Sequence, residues 1–178
     1  MACFVRWAMI FALGIGAAPT VWAAGPGSVV AAEAFPADLV SGPYEVAVAD
    51  ELRFQREGRE LALVLKVRYP VVTEELPGPC PLVVFSHGMG GYTDAFEHLS
   101  EHLASHGYVV VHPAHTDSVR LRREAGESVE SLRGTFTREG TGVVDLRSRV
   151  EDCEWILENL DSIETELGNG SSIGLAIE

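Results

Sequence analysis

Basic side chains are scarce in this sequence. Its 178 residues include 13 lysines and arginines against 26 acidic residues, and Lys66 is the only lysine. The formal net charge of −13 leaves no positive surface for the phosphates of nucleic acids or for anionic membranes. We therefore expect neither nucleic acid nor an anionic membrane surface to be a partner of this protein.

Cysteine is scarce as well. Cys3, Cys80 and Cys153 are too few for a disulfide framework, and they lack the paired spacing of a zinc site. We expect Cys80 and Cys153 to be buried free thiols, although an oxidising compartment would permit them to pair. The hydrophobic share of 47% is sufficient for a core, which excludes disorder as a description of the whole chain.

Long apolar runs are absent, apart from one near the amino terminus. Arg6 precedes an apolar run of 12 residues at 7–18, and the small residues needed for cleavage lie at 21–23. A basic start, a short apolar run and a small-residue cleavage site form the pattern of a secretory signal peptide, and a membrane span is longer. We predict a signal peptide at 1–23, a linker or irregular arm at 24–43, no stable membrane anchor, and a secreted or periplasmic protein.

The remaining chain alternates strands and helices. Alternating apolar residues predict strands at 44–49 and 61–69, joined at Glu57-Gly58 as an antiparallel hairpin. Continuous apolar runs at 82–85 and 108–111 are typical of strands that are buried on both faces. The pattern predicts an α/β fold with a mostly parallel central sheet opened by the hairpin.

Helices are predicted between and after these buried strands. The first begins at a cap formed by Thr93-Asp94 and ends near Ser105, with Phe96, Leu99 and Leu103 on its apolar face. A longer helix is predicted over 143–163, and a further strand over 173–177. The acidic residues between Glu151 and Glu166 are expected to form the solvated face of that long helix.

A glycine-rich turn follows the first buried strand. Ligands of open α/β sheets bind at the carboxyl ends of the strands, where the turn His87–Gly90 is placed. Glycines leave the main-chain N–H groups uncovered, and one such donor to an oxyanion is worth about 10²–10³ in rate. A dinucleotide-binding turn is disfavoured, because Thr93 stands where that motif requires its third glycine.

Residues 81–118 resemble the α/β-hydrolase superfamily, most closely its platelet-activating-factor acetylhydrolase and dienelactone-hydrolase-like branches. The resemblance is carried by PLVVFSHG, by LASHGY and by a strand that ends in His112-Pro113. It implies a partial α/β-hydrolase fold over 44–178 and hydrolysis of a small carboxylic ester or lipid by a serine nucleophile, with no cofactor and no metal. It also implies an oxyanion-hole role for His87, Gly88, Met89 and Gly90, with the Met89 N–H as donor.

The family's nucleophile motif is absent. The family's Gly-His-Ser-x-Gly does not occur in these 178 residues, although residues 172–176 resemble the strand that should lead into it. In the family's sheet order this strand would lie beside 82–85. We therefore expect the amino-terminal half of a hydrolase domain, without nucleophile, acid or base and inactive alone. A fragmentary gene, a frameshift and a genuine short product would each give this pattern, and a non-catalytic secreted binding or structural protein is the alternative function.

Two other groups of polar residues deserve comparison. His98, Glu101 and His102 match H-x-x-E-H, but no motif marks a third zinc ligand, so a zinc hydrolase is the weakest alternative. His112, His115, Asp117 and Ser118 are too close in sequence to form a catalytic triad with one another. We expect them to have structural or substrate-side roles, and we expect His87 to pack beneath its turn rather than to act as a base.

Overall fold

The computed structural model describes residues 8–11, 41–71, 76, 80–128, 130–131 and 146–168. Within them, five strands and four helices follow one another in an α/β arrangement. In chain order these are β1 (Ala8–Phe11), β2 (Val46–Phe54), β3 (Leu63–Pro70), β4 (Leu82–Ser86), α1 (Glu97–Ser105), β5 (Val109–Ala114), α2 (Val119–Glu124), α3 (Leu146–Glu158) and α4 (Leu160–Leu167).

The strands form one sheet in the order β1-β4-β5-β3-β2. β4 lies parallel to both β1 and β5, with Val83 opposite Val110 on β5. β3 pairs antiparallel with β5 on one side and with β2 on the other. The predicted α/β class, the parallel central strands and the opening antiparallel hairpin are therefore confirmed, with two parallel and two antiparallel pairings among the described strands.

The hairpin is longer than its sequence pattern indicates. β2 continues to Phe54 across an irregularity between Ala49 and Leu52, where Glu51 has a φ of 55°. Because this bulge interrupts the two-residue alternation, the pattern stops at Ala49 while the main-chain ladder continues. The predicted turn is confirmed, and its Gly58 adopts a φ of 71° that favours glycine.

The free edge of β4 is paired with a segment from the amino terminus. Ala8 to Phe11 lie opposite Val83 to Ser86 in parallel register. This segment falls within the predicted signal peptide, and it takes the β4 edge that the resemblance assigns to residues 173–177. The predicted strand at 173–177 lies outside the described residues, as do residues 24–40 of the predicted linker. Among the described residues, no helix is long and apolar enough to cross a membrane.

Helix α1 differs from its prediction at its start and on its buried face. It begins at Glu97 after Phe96, which has a left-handed φ of 57°, and no side chain caps it. Asp94 does not cap the helix because its carboxylate pairs with Lys66 on β3. The face turned to the sheet carries Ser100 and Ala104, whereas Phe96 is 58% exposed.

The predicted helix over 143–163 is two helices in the structure. α3 ends at Glu158, Asn159 has a non-helical φ of −123°, and α4 begins at Leu160. The Asn159 side chain donates to the carbonyl oxygen of Trp155, which covers an acceptor at the end of α3. Residues 143–145 lie outside the described residues.

The main core lies between these two helices and the sheet. Cys153 and Ile156 of α3 and Ile163 of α4 are buried in one cluster with Leu65 and Val84. Cys80 belongs to the same cluster, and both described cysteines are buried and free, as predicted. Burial raises the pKa of the Cys153 thiol to about 11, so this cysteine packs as an apolar residue.

Candidate functional site

The glycine-rich turn lies directly after β4, at the carboxyl ends of the parallel strands. Gly91 N donates to the carbonyl oxygen of Gly88 at 3.0 Å, and Gly90 has a φ of 75°. This hydrogen bond and the positive φ at the third position are typical of a type II turn, which favours glycine there. Met89 occupies the second position and is 49% exposed.

The imidazole of His87 lies beneath this turn and is 1% exposed. Its Nδ1 is 2.6 Å from the carbonyl oxygen of Gly88, and its Nε2 accepts from the His115 main-chain N–H at 3.1 Å. A Cβ on Gly91 would lie only 3.0 Å from His87 Nδ1 and from His87 Cβ. A side chain at position 91 would thus crowd the ring, and the structure places His87 where the sequence predicts it.

A buried ion pair holds both ends of the turn. Arg149 of α3 binds Asp117 through Nε at 3.2 Å and Nη2 at 2.5 Å. The same guanidinium donates through Nη1 to the carbonyl oxygen of His87 at 2.6 Å, and Asp117 accepts from Gly90 N at 3.4 Å. Burial alone would raise the pKa of Asp117, but the hydrogen bond and charge of Arg149 outweigh it and lower this pKa.

The Met89 N–H is unengaged, as is the Gly88 N–H before it, within the described residues. Among the residues that the structure describes, it donates to no protein acceptor, whereas Gly90 N and Gly91 N are both engaged. An unengaged N–H on a turn that is fixed on both sides can donate to a bound oxygen without reorganisation. This geometry suits the oxyanion donor that the resemblance implies.

A second hydrogen-bonded chain runs beside the turn. Ser86 Oγ lies 2.8 Å from His115 Nε2, and His115 Nδ1 lies 2.7 Å from Asp152 Oδ2. The other oxygen of Asp152 accepts from Arg56 at 2.6 Å. These contacts have the connectivity of a Ser–His–Asp triad, which no local sequence motif indicates.

Burial separates this chain from a working triad. Ser86 is 2% exposed, and His115 and Asp152 are fully buried. A nucleophile must meet its substrate, and Ser86 is almost wholly shielded from solvent. The hydrogen bonds among Ser86, His115 and Asp152 therefore hold the end of β4 against the loop after β5, beneath the turn. Asp152 also corrects the prediction that the acids of α3 are solvated, because it faces the interior with Arg149.

His112 of β5 and Ser118 of the loop after it are both buried and hydrogen-bonded. His112 Nε2 is 2.5 Å from Ser100 Oγ of α1, and its ring stacks on Phe85. Burial, reinforced by the positive charge of Arg68, lowers the pKa of His112 to about 3. Ser118 caps α2 by accepting from Leu121 N.

The H-x-x-E-H residues lie on α1, away from these contacts. The His102 ring packs against His106 at a centroid distance of 4.6 Å. Across the described part of the chain, no group of three or more histidines, cysteines or acids is arranged to hold a metal ion.

Comparison with known families decides the relationship. The family model for platelet-activating factor acetylhydrolase, isoform II, matches residues 43–168. The chain belongs to this family. No curated protein matches the sequence significantly.

Membership in the platelet-activating factor acetylhydrolase family makes this chain hydrolase-like. The matched region contains the whole glycine-rich turn and its buried partners. Sequence reasoning identified the turn but missed Ser86, Arg149 and Asp152. A signal was present: Arg149 and Asp152 share a helical face with Cys153 and Ile156, which indicates that the two charges are buried together.

Proposed function

We propose that this protein acts in the hydrolysis of a carboxylic ester, of a small ester or a lipid, outside the cytoplasm. The turn His87–Gly90 would supply one oxyanion donor through the Met89 N–H. The observation that carries this proposal is that this N–H is unengaged while the main chain on both sides is tethered. Family membership supports a hydrolase, and the predicted signal peptide supports export.

We further propose that the nucleophile is a serine supplied from outside these 178 residues. The sequence contains no Gly-His-Ser-x-Gly, and its one match to G-x-S-x-G, at Gly170–Gly174, overlaps the start of the predicted strand over 173–177 instead of following its end. The second oxyanion donor in such enzymes is the residue after the nucleophile. The chain by itself would then hold half an oxyanion hole and no attacking group. It should be inactive alone.

The Ser86–His115–Asp152 chain supports a second candidate, in which Ser86 itself attacks the ester. Its connectivity favours this candidate, and its burial opposes it. A fluorophosphonate probe distinguishes the two. We expect no covalent labelling of the full chain and no hydrolysis of a short p-nitrophenyl ester beyond that of free histidine. Labelling that disappears in Ser86→Ala would establish Ser86 as the nucleophile and contradict the first proposal.

A chimera tests the oxyanion donor directly. A family carboxyl-terminal half, beginning with Gly-His-Ser-x-Gly, would be joined after Ala176 and should give labelling and turnover. Met89→Pro then removes the proposed donor, and a proline is accepted at the second position of a type II turn. We expect activity to fall about 10²-fold or more. Met89→Ala keeps the N–H and serves as the control, so an equal fall in both variants would exclude the Met89 N–H.

A further inference from the structure

We infer that His87 is a positioning residue. As the neutral Nδ1–H tautomer it donates a hydrogen bond to the Gly88 carbonyl oxygen and holds this carbonyl in place. The Met89 N–H of the same peptide group then points away from the His87 ring. This inference rests on the proposed role of Met89 as an oxyanion donor. It concerns the conformation of the turn, however, and can be tested without ester turnover.

The tautomer follows from one contact. The main-chain N–H of His115 points at His87 Nε2 over 3.1 Å, and a main-chain N–H can only donate. His87 Nε2 must therefore be unprotonated, and in a neutral imidazole the proton is then on Nδ1. Since Nδ1 lies 2.6 Å from the Gly88 oxygen, it donates to this carbonyl.

The carbonyl that His87 holds belongs to the same peptide group as the proposed donor. The Gly88 C=O and the Met89 N–H form one planar unit, and none of the described peptide bonds is cis. In a trans peptide the two groups point in opposite directions. Gly91 N binds the same oxygen at 3.0 Å, so two donors draw the carbonyl inward and the Met89 N–H is turned outward.

The surroundings of the ring favour its neutral form. Burial lowers the pKa of His87 to about 4, although the Gly88 carbonyl acts in the opposite direction. The charged or titratable groups that act on the ring are His115 and Asp117 from the loop after β5, and Arg149 from α3. The ring also packs closely against Gly91, where a Cβ would lie 3.0 Å from His87.

The first test is spectroscopic and uses the wild-type chain. Selective ¹⁵N labelling of the six histidines, in solution or in sedimented protein, reports which ring nitrogen carries the proton. The His87 signals are identified by their loss in a His87→Gln variant. We expect protonated Nδ1 and unprotonated Nε2 from neutral pH down to about pH 4. Protonated Nε2 at neutral pH, in either a neutral or a charged ring, would overturn the inference.

The second test uses two matched variants and reads the ¹H–¹⁵N amide shift of Met89 in the full chain. His87→Asn keeps a donor near the Nδ1 position, whereas His87→Gln keeps an acceptor near Nε2. We expect the Met89 shift to be retained in His87→Asn and displaced in His87→Gln. A purely packing role would displace both equally, and equal displacement, or none in either, would overturn the inference.

The outcomes separate this inference from the proposed function. The expected tautomer with no turnover in the chimera would contradict the proposed function alone. If turnover in the chimera depends on the Met89 N–H but His87 of the wild-type protein carries its proton on Nε2, only the positioning role of His87 is contradicted. If the variants do not fold, the His87 ring signals are assigned in the wild-type protein by correlation with the residue's own main-chain amide, and the tautomer still decides.

Discussion

Two groups of ion pairs in this protein join an arginine to a carboxylate, one group in the interior and the other at the surface. Beneath the turn, Arg149 pairs with Asp117 and Arg56 with Asp152, and these side chains are 1–10% exposed. Between β2 and α2, Arg53 and Arg120 share Glu51 and Glu124, and these side chains are 39–48% exposed.

The two groups should contribute very differently to the structure. A buried charge whose partner is removed is left without water and costs about 3–5 kcal/mol, whereas an exposed pair is worth about 0–1 kcal/mol. The buried group also binds main-chain atoms of the turn, since Arg149 reaches the carbonyl oxygen of His87 and Asp117 reaches Gly90 N. The buried pairs therefore fix the site, and the exposed pairs cover the surface.

The largest expected difference in the free energy of unfolding is between variants of two neighbouring acids on α3, Asp152 and Glu151. Asp152→Asn leaves Arg56 buried without a counter-charge and removes the carboxylate from His115. We expect a loss of about 3–5 kcal/mol in the free energy of unfolding, measured by urea denaturation. Glu151→Gln is the control, because Glu151 pairs with Arg59 and Arg147 at a side-chain exposure of 41% and should cost about 1 kcal/mol or less. Equal losses would show that burial does not separate the two groups.

The pH dependence of stability sharpens the same comparison. The pKa values of His87 and His112 are lowered to about 4 and about 3, mainly by burial, so both rings are neutral in the folded protein. Between these values and the ordinary 6.5, the unfolded chain binds more protons than the folded one. The contribution of these two rings to the free energy of unfolding is complete above pH 6.5, and it is lost as the pH falls towards 4 for His87 and 3 for His112.

For each ring this loss should amount to a few kcal/mol, because one pKa unit corresponds to about 1.4 kcal/mol. Asp117 contributes in another window: its pKa is lowered, so its stabilisation is lost only as the pH falls below the ordinary carboxyl value. Urea denaturation between pH 7 and pH 4.5 therefore isolates the histidines. His87→Gln should flatten this part of the profile, and an unchanged slope would contradict the neutral, buried ring.

Local features of the sequence predicted the strands and the turn. The apolar runs of β4 and β5 and the glycines after β4 are signals that lie within a few residues, and the structure has the elements there. The register of the bulged β2 and the start of α1 were not predictable in this way. Asp94 forms an ion pair with Lys66 rather than a cap, which is a tertiary contact that outweighs a local preference.

The buried polar groups were predicted only in part, because they too are held by contacts between residues that are distant in the sequence. His115 and Asp152 are 37 residues apart, Arg149 and His87 are 62 apart, and Arg56 and Asp152 are 96 apart. No spacing rule connects residues at such distances. Within a helix rich in acids, Asp152 has the local signature of a surface residue, and only its partners on the loop after β5 and near β2 show that it is buried.

The exposed pairs between β2 and α2 should give the smallest effect. Glu124→Gln keeps the length of the side chain and removes a charge that accepts from Arg53 at 3.2 Å and from Arg120 at 3.0 Å. We expect a loss of about 0.5 kcal/mol in dilute buffer, and almost none at 1 M salt, where screening acts within about 3 Å. Asp117→Asn is the buried counterpart, and its larger cost should not depend on salt because Arg149 and Asp117 are shielded from water. A salt-dependent cost for Asp117→Asn, or a salt-independent one for Glu124→Gln, would show that solvent reaches the two groups alike.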